Sequence, residues 1–249
     1  MNSAFLAILF ASVALVYASV GFGGGSSYAA LLVLAGVSYS YIPIISLICN
    51  ITVVTGNSLN YWKNGDFNWR LLLIPTLFSV PMAFLGGRLM VSKTLFLTLL
   101  CIMLALTGLR LLVKFREHEI DSDSKPLRPI LGGIVGAFLG FLAGITGIGG
   151  GIFLSPILYY FKAGKPNQIA AAASFFILVN SIAGLMGQLQ KTGFSEILYG
   201  YWYLPLLVLV GGQIGNRIAI KIIPAKYIAL ATAILVLFVA AQLAMKLMN

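Results

Sequence analysis

The stretch AFLAILFASVALVYASVGFGGGSSYAALLVLAGV, residues 4–37, decides how the rest of the chain is read. It carries no charge, and the first charged residue of the whole sequence is Lys63. At its centre Gly21-Phe22-Gly23-Gly24-Gly25-Ser26-Ser27 separates two apolar runs, 4–20 and 26–36. Glycine lets the backbone bend and come close to other groups. In an apolar surrounding, however, each free N–H or C=O costs several kcal/mol unless protein or a water-filled cavity satisfies it. A glycine break between two apolar segments therefore points to a broken or re-entrant helix hairpin at a transport site. Close helix packing by small residues is the plainer alternative.

Outward from this stretch the composition agrees. Of 249 residues 60% are hydrophobic and 9% charged, with a mean hydropathy of +1.00, whereas a soluble domain carries roughly 25% charge. The chain reads as an integral membrane protein of roughly eight to ten crossings, at about 20 residues each. Further apolar runs stand at 42–61, 70–90, 94–113, 129–146, 151–161, 167–189, 198–220 and 226–247. None alternates in polarity as the strands of an outer-membrane barrel do, so the expected fold class is an all-α polytopic membrane protein. The net charge of +10 would suggest nucleic acid for a soluble chain. Here most of the 16 Lys and Arg lie in or beside short connections, where they set orientation in the bilayer, and no nucleic acid is expected. Cys49 and Cys101 lie in apolar runs without a CxxC partner, which predicts neither a disulfide nor a metal, and no cofactor is implied. The chain starts without a positive n-region, so residues 4–20 are read as mature protein rather than a signal peptide.

The glycine motif returns. Gly147-Ile148-Gly149-Gly150-Gly151 repeats it at an offset of 126. Ser46, Gly56, Lys63 and Gly65 match Ser174, Gly184, Lys191 and Gly193 at 128, and Gly86-x-Arg88 matches Gly215-x-Arg217 at 129. An ordered series with so little drift marks two tandem halves. The expected division is a first transmembrane repeat, 1–113, a hydrophilic cytoplasmic linker, 114–128, and a second repeat, 129–249. The linker holds the sole histidine, His118, which has no second ligand nearby and reads as solvated.

Cation parity orients the halves. If 4–20 and 26–36 enter and leave on one side, and 129–161 likewise, twelve of the 16 cations share the linker's face and only Arg88, Lys93, Lys191 and Lys246 face the other. That split obeys the positive-inside rule. It also gives each half of about five segments an odd parity, so the second repeat is inverted relative to the first, a common transporter plan. Both termini then lie outside, and both glycine turns end near the bilayer midplane.

A helix beginning near Ser26 offers free N–H groups and the positive end of its dipole, for which an anion is the natural guest. The candidate substrate-binding residues are therefore Gly23, Gly24, Gly25, Ser26 and Ser27 in the first turn and Gly149, Gly150 and Gly151 in the second. To these the following runs add Ser46, Asn50 and Asn57, which share a helix face, and Ser174, Asn180 and Gln188. Interhelical hydrogen bonding is the plainer reading of each polar residue taken singly. Arg88 and Arg217, near segment ends at opposite faces, are candidate vestibule charges. No Asp or Glu lies within any apolar run. Proton or cation coupling through a buried acid is thus not expected, and a monoanion leaving an inside-negative cell gains about 2.3 kcal/mol per 100 mV.

The first glycine turn, its return after a central linker, the loop NYWKNGDFNWR (Asn60–Arg70) and the stretch GGRL (Gly86–Leu89) together resemble the sulfite exporter TauE/SafE family of bacterial inner-membrane permeases. The resemblance spans nearly the full chain. It implies multi-pass transport, chiefly efflux, of small sulfur-containing anions such as sulfite or organosulfonates, with the site at the glycine turns and their polar neighbours. The expected partners are a small anionic substrate and the lipid bilayer, and a homodimer is compatible with the sequence. Transport of another small solute and a non-transporting membrane assembly factor are the competing readings. Catalysis is not expected, because His118 sits in the linker and no buried acid could serve a nucleophile.

Overall fold

A computed structural model describes residues 3–19, 21–112, 127–192, 200–218 and 225–248. Most of the linker, with His118, and the side chain of Arg217 lie outside the described residues. The described residues form ten helices and no strand: α1 Ser3–Ser19, α2 Gly25–Leu34, α3 Ile42–Lys63, α4 Trp69–Arg88, α5 Lys93–Leu112, α6 Pro129–Thr146, α7 Gly151–Tyr160, α8 Pro166–Thr192, α9 Tyr203–Ile218 and α10 Ala225–Met248. Five of them, α3, α4, α5, α6 and α8, are long and apolar enough to cross a membrane. The two ten-residue helices α2 and α7 follow the glycine turns. At 1.5 Å per residue each is about 15 Å long, half a bilayer.

Two connected faces frame the bundle. The α3–α4 connection around Asp66 lies beside the α7–α8 connection, where a side chain at Gly164 would meet Leu71. At the opposite end, Tyr39 of the α2–α3 connection shares cavities with Lys93, Met90 and Lys191. Near the Asp66 face Trp62 and Trp69, both exposed, cluster with Phe67 and Phe175 at ring separations of 5.6–6.0 Å, an arrangement that suits the membrane–water interface. Between the faces the outer surface is apolar, with Leu73, Leu77, Phe138, Met186 and Phe238 all exposed. On a soluble protein such a surface would aggregate; in lipid it is solvated.

Helix association in lipid depends on close backbone approach. In α6, Gly132, Gly136, Gly140 and Gly144 recur every four residues and so form one stripe. On α4, Pro75, Ser79 and Ala83 do the same. A Cβ added at Gly136, Gly140 or Gly144 would overlap the carbonyl oxygen of Pro75, Ser79 or Ala83 respectively, so the two backbones touch along their length. The same device joins α9 to α1, where Gly211 and Gly215 abut the carbonyls of Ala11 and Leu15. α4 packs on α6 and α8, and α9 on α1 and α3; α3 meets α8, and α5 meets α10. Exchanging α1–α5 with α6–α10 leaves these pairings unchanged. The helices enclose two buried clusters: in the larger, Phe10, Tyr28 and Leu104 are packed with Ile148, Leu204 and Val239, and in the smaller, Leu72, Leu139 and Leu154 with Phe176.

α1 ends at Gly21, whose φ of 81° allows the Phe22 N–H to reach back to the Tyr17 carbonyl at 2.8 Å. α6 ends similarly at Gly147, φ 78°, with its N–H on the Ala143 carbonyl at 2.9 Å. The two ends lie at opposite levels along α3: a side chain at Gly21 would meet Tyr61, near the Asp66 face, and one at Gly147 would meet Pro43, at the Tyr39 end. Each turn therefore bends well past the middle of α3 and climbs back. What reaches the middle is the start of the short helix, because α1 has 17 residues against ten in α2.

Candidate functional site

The two returning segments cross beside Asn50. A Cβ at Gly25 would stand 2.8 Å from the carbonyl oxygen of Ile148, so the first turn touches the second directly. The Asn50 carboxamide fills the space between them, next to Gly23 and Gly25 on one side and 3.0 Å from a Cβ at Gly149 on the other. Its Nδ2 donates to the Gly147 carbonyl at 3.3 Å. Ser46, one helical turn earlier on α3, places Oγ 2.9 Å from the Gly147 carbonyl and 3.1 Å from that of Gly25. A hydroxyl has one proton, so it serves one carbonyl at a time.

The polar residues on α3 and α8 act as caps for the broken helices. Ser174 donates to the Gly21 carbonyl, so Ser46 ties down the first glycine of the second turn and Ser174 the first glycine of the first turn. Asn57 Nδ2 reaches the Phe22 carbonyl at 3.3 Å, and Gln188 Nε2 reaches the Gly144 carbonyl at 2.8 Å. These bonds answer the cost of carbonyls released at a helix end inside a core. Asn180 is buried, but its Nδ2 donates to the Phe176 carbonyl of its own helix at 2.7 Å. Ser26 and Ser27 turn toward the Tyr17 hydroxyl, at 3.4 and 3.1 Å.

What these bonds leave over defines the chemistry. Gly24 and Gly150 stand as left-handed N-caps of α2 and α7, at φ 90° and 72°, and neither helix start receives a side-chain cap. The first backbone N–H groups of α2 are thus available, with the helix dipole behind them. The buried Oδ1 of Asn50 has no donor, and neither do Oδ1 of Asn57 and Oε1 of Gln188. The crossing therefore offers donors and an acceptor within one uncharged cluster. Ser46, Ser174 and Asn50 are 0% exposed, so this conformation is closed at the crossing to both faces.

Of the vestibule candidates, Arg88 is exposed at the end of α4, and the Arg217 side chain lies outside the described residues. Arg110 takes a place that its sequence, a cation two residues from the end of α5, does not reveal. Its guanidinium lies 5.7 Å from the centroid of the Phe22 ring, over the first turn. In the sequence it counts only as one more orienting charge.

The caps yield a stability prediction. Ser174→Ala removes the donor to Gly21, whereas after Ser46→Ala the Gly147 carbonyl keeps Asn50. Ser174→Ala should cost about 1–3 kcal/mol, the penalty of a buried carbonyl left bare, and Ser46→Ala less. Ser58→Ala, which deletes a buried hydroxyl that has no partner, should cost nothing or stabilise. Thermal unfolding in detergent ranks the three, and equal losses would mean that the serines do not cap the turns.

A lipid-facing helical bundle in whose interior two broken helices meet has the architecture of a polytopic membrane transporter. The chain belongs to the sulfite exporter TauE/SafE family, whose model matches residues 4–243. A probable membrane transporter protein of Sinorhizobium fredii is 29% identical over 234 residues, covering 93% of this chain and 94% of its own. One from Methanocaldococcus jannaschii is 27% identical over 167 residues, 64% of this chain and 61% of its own. A third, from Haemophilus influenzae, is 40% identical over 52 residues, 21% of this chain and 19% of its own. No solved structure matches. Family and relatives make this chain a membrane transporter and not an enzyme.

Proposed function

We propose that the protein exports small sulfur-containing anions, such as sulfite or organosulfonates, across a bacterial inner membrane, and that the anion binds where the two glycine turns cross at Asn50. The observation that carries this reading is the meeting of an uncapped α2 N-terminus with an unpartnered, fully buried Asn50 oxygen. An oxyanion accepts hydrogen bonds from the N–H groups after Gly23, Gly24 and Gly25 and from the hydroxyls of Ser26 and Ser27. A proton on the anion, or one accompanying water, satisfies Asn50 Oδ1. None of these groups is itself charged, and the guanidinium over the first turn, Arg110, faces the Phe22 ring, so neutral donors replace the anion's hydration without holding it too tightly to release. Gly149, Gly150 and Gly151 close the site from the other side, and Asn57, Ser174 and Gln188 hold the turns in place.

The halves 1–113 and 129–249 are read as inverted repeats. The opposed levels of Gly21 and Gly147 along α3 support this reading, as does the exchange symmetry of the helix pairings. The Asp66 face, continuous with the linker, is the cytoplasmic one by the twelve-to-four division of cations. With the site closed to both faces, transport requires each turn to open toward its own face in alternation.

No carboxylate lies in any of the described helices, which leaves the anion's own charge as the coupling. Sulfite flux from proteoliposomes is expected to follow the imposed potential, by about 2.3 kcal/mol per charge per 100 mV. A pH gradient at zero potential should have little effect once sulfite ionisation is corrected. Strong acceleration by that gradient would reveal a proton carrier and overturn uncoupled export.

A further inference from the structure

We propose that the cavity beside Lys191 is a second anion site, an exit vestibule on the Tyr39 face beyond the crossing; the proposal rests on the anion-transport reading above. The cavity has a volume of about 230 Å³ and is lined by Tyr39, Ser40, Pro43, Phe96, Lys191 and Thr192 among others. Liquid water occupies roughly 30 Å³ per molecule, so the space takes a small oxyanion together with several of its waters. Lys191 is half-buried at the end of α8, and no carboxylate of the described residues lines the cavity. Tyr39, Ser40 and Thr192 add neutral polar side chains to the lining.

The position connects this cavity to the transport site. Pro43 forms part of its wall, and on the other side of Pro43 sits the second turn: a Cβ at Gly147 would stand 2.6 Å from the Pro43 Cα. The cavity is thus separated from the glycine crossing at Asn50 by two turns of α3. Across Tyr39 a second cavity, about 290 Å³, carries Lys93. A cation in a concave, low-dielectric wall focuses the field and concentrates counter-ions. Lysine is suited to that task because its ammonium is a compact point charge without the fork that clamps oxyanions in two places. The site receives singly charged oxyanions and sulfonates from the crossing and releases them readily on the Tyr39 side.

Two measurements test it. In the first, the thiol introduced by Ser40→Cys, in a background carrying Cys49→Ala and Cys101→Ala, is reacted with an anionic sulfonatoethyl methanethiosulfonate and with its trimethylammonium analogue. The anionic reagent should react roughly 3- to 10-fold faster, and Lys191→Gln should abolish that preference while Lys191→Arg keeps it. In the second, entry of sulfite supplied on the Tyr39 face of proteoliposomes, the reverse of export, is measured at low and high ionic strength. Lys191→Gln should raise KM several-fold at low salt and leave kcat unchanged, with the difference vanishing once the Debye length shrinks to a few Å near 1 M. A reagent preference that Lys191→Gln does not alter overturns the vestibule even if sulfite is transported. A Lys191-dependent preference in a protein that moves no sulfite upholds the vestibule and overturns the transport reading instead.

Discussion

Asn50→Leu should yield a protein that folds, reaches the membrane and loses at least tenfold in sulfite transport. Its folding follows from how little the native side chain contributes: one long hydrogen bond, 3.3 Å, to a carbonyl that Ser46 also serves at 2.9 Å, and an oxygen with no partner. Replacing a half-satisfied buried amide by an apolar group of like size is close to neutral, within about 1 kcal/mol. The transport loss follows from the site. A hydrogen bond to a charged group contributes about 1.5–3 kcal/mol, and each 1.4 kcal/mol is tenfold in affinity. Initial rates in proteoliposomes, set beside thermal unfolding of the same preparation, separate the two effects. Equal loss of both would make Asn50 a packing residue only.

Gly140→Val should do the opposite and prevent accumulation of folded protein. A Cβ there overlaps the carbonyl oxygen of Ser79 and approaches its Cα to 2.7 Å. Overpacking ordinarily costs 1–3 kcal/mol, but that figure supposes a side chain able to yield. Here the obstacle is backbone, and relief requires α4 and α6 to separate along the whole stripe from Gly132 to Gly144. A loss of roughly 3 kcal/mol or more is expected, a large part of a typical stability of 5–15 kcal/mol. Gly200→Ala, where a Cβ would meet nothing within 4 Å, should leave the yield unchanged. Size-exclusion profiles in detergent compare the two, and a monodisperse Gly140→Val protein would show that the backbones are not in contact.

The contrast between these two positions also shows what the sequence discloses. The apolar runs at 26–36, 42–61 and 129–146 correspond to helices Gly25–Leu34, Ile42–Lys63 and Pro129–Thr146, because apolarity and glycine breaks act locally. The spacing of four puts Gly132, Gly136, Gly140 and Gly144 on one helix face, but only the fold shows that the α4 backbone lies against it. Ser46 could be recognised as polar within an apolar run, but not that it bonds Gly147, 101 positions away, because that depends on which helix crosses which. Arg110 is the clearest case. Near a segment end it looks like an orienting charge, and only the docking of α5 against the first turn brings its guanidinium over Phe22.

Whether the anion sits where the two turns cross can be measured without transport, by calorimetric titration of sulfite into the purified protein and into Asn50→Leu, both verified as folded. A site at the crossing gives measurable binding to the unaltered chain and at least tenfold weaker binding to Asn50→Leu. Sulfite bound with the same affinity by both proteins would contradict it and place the site away from the crossing.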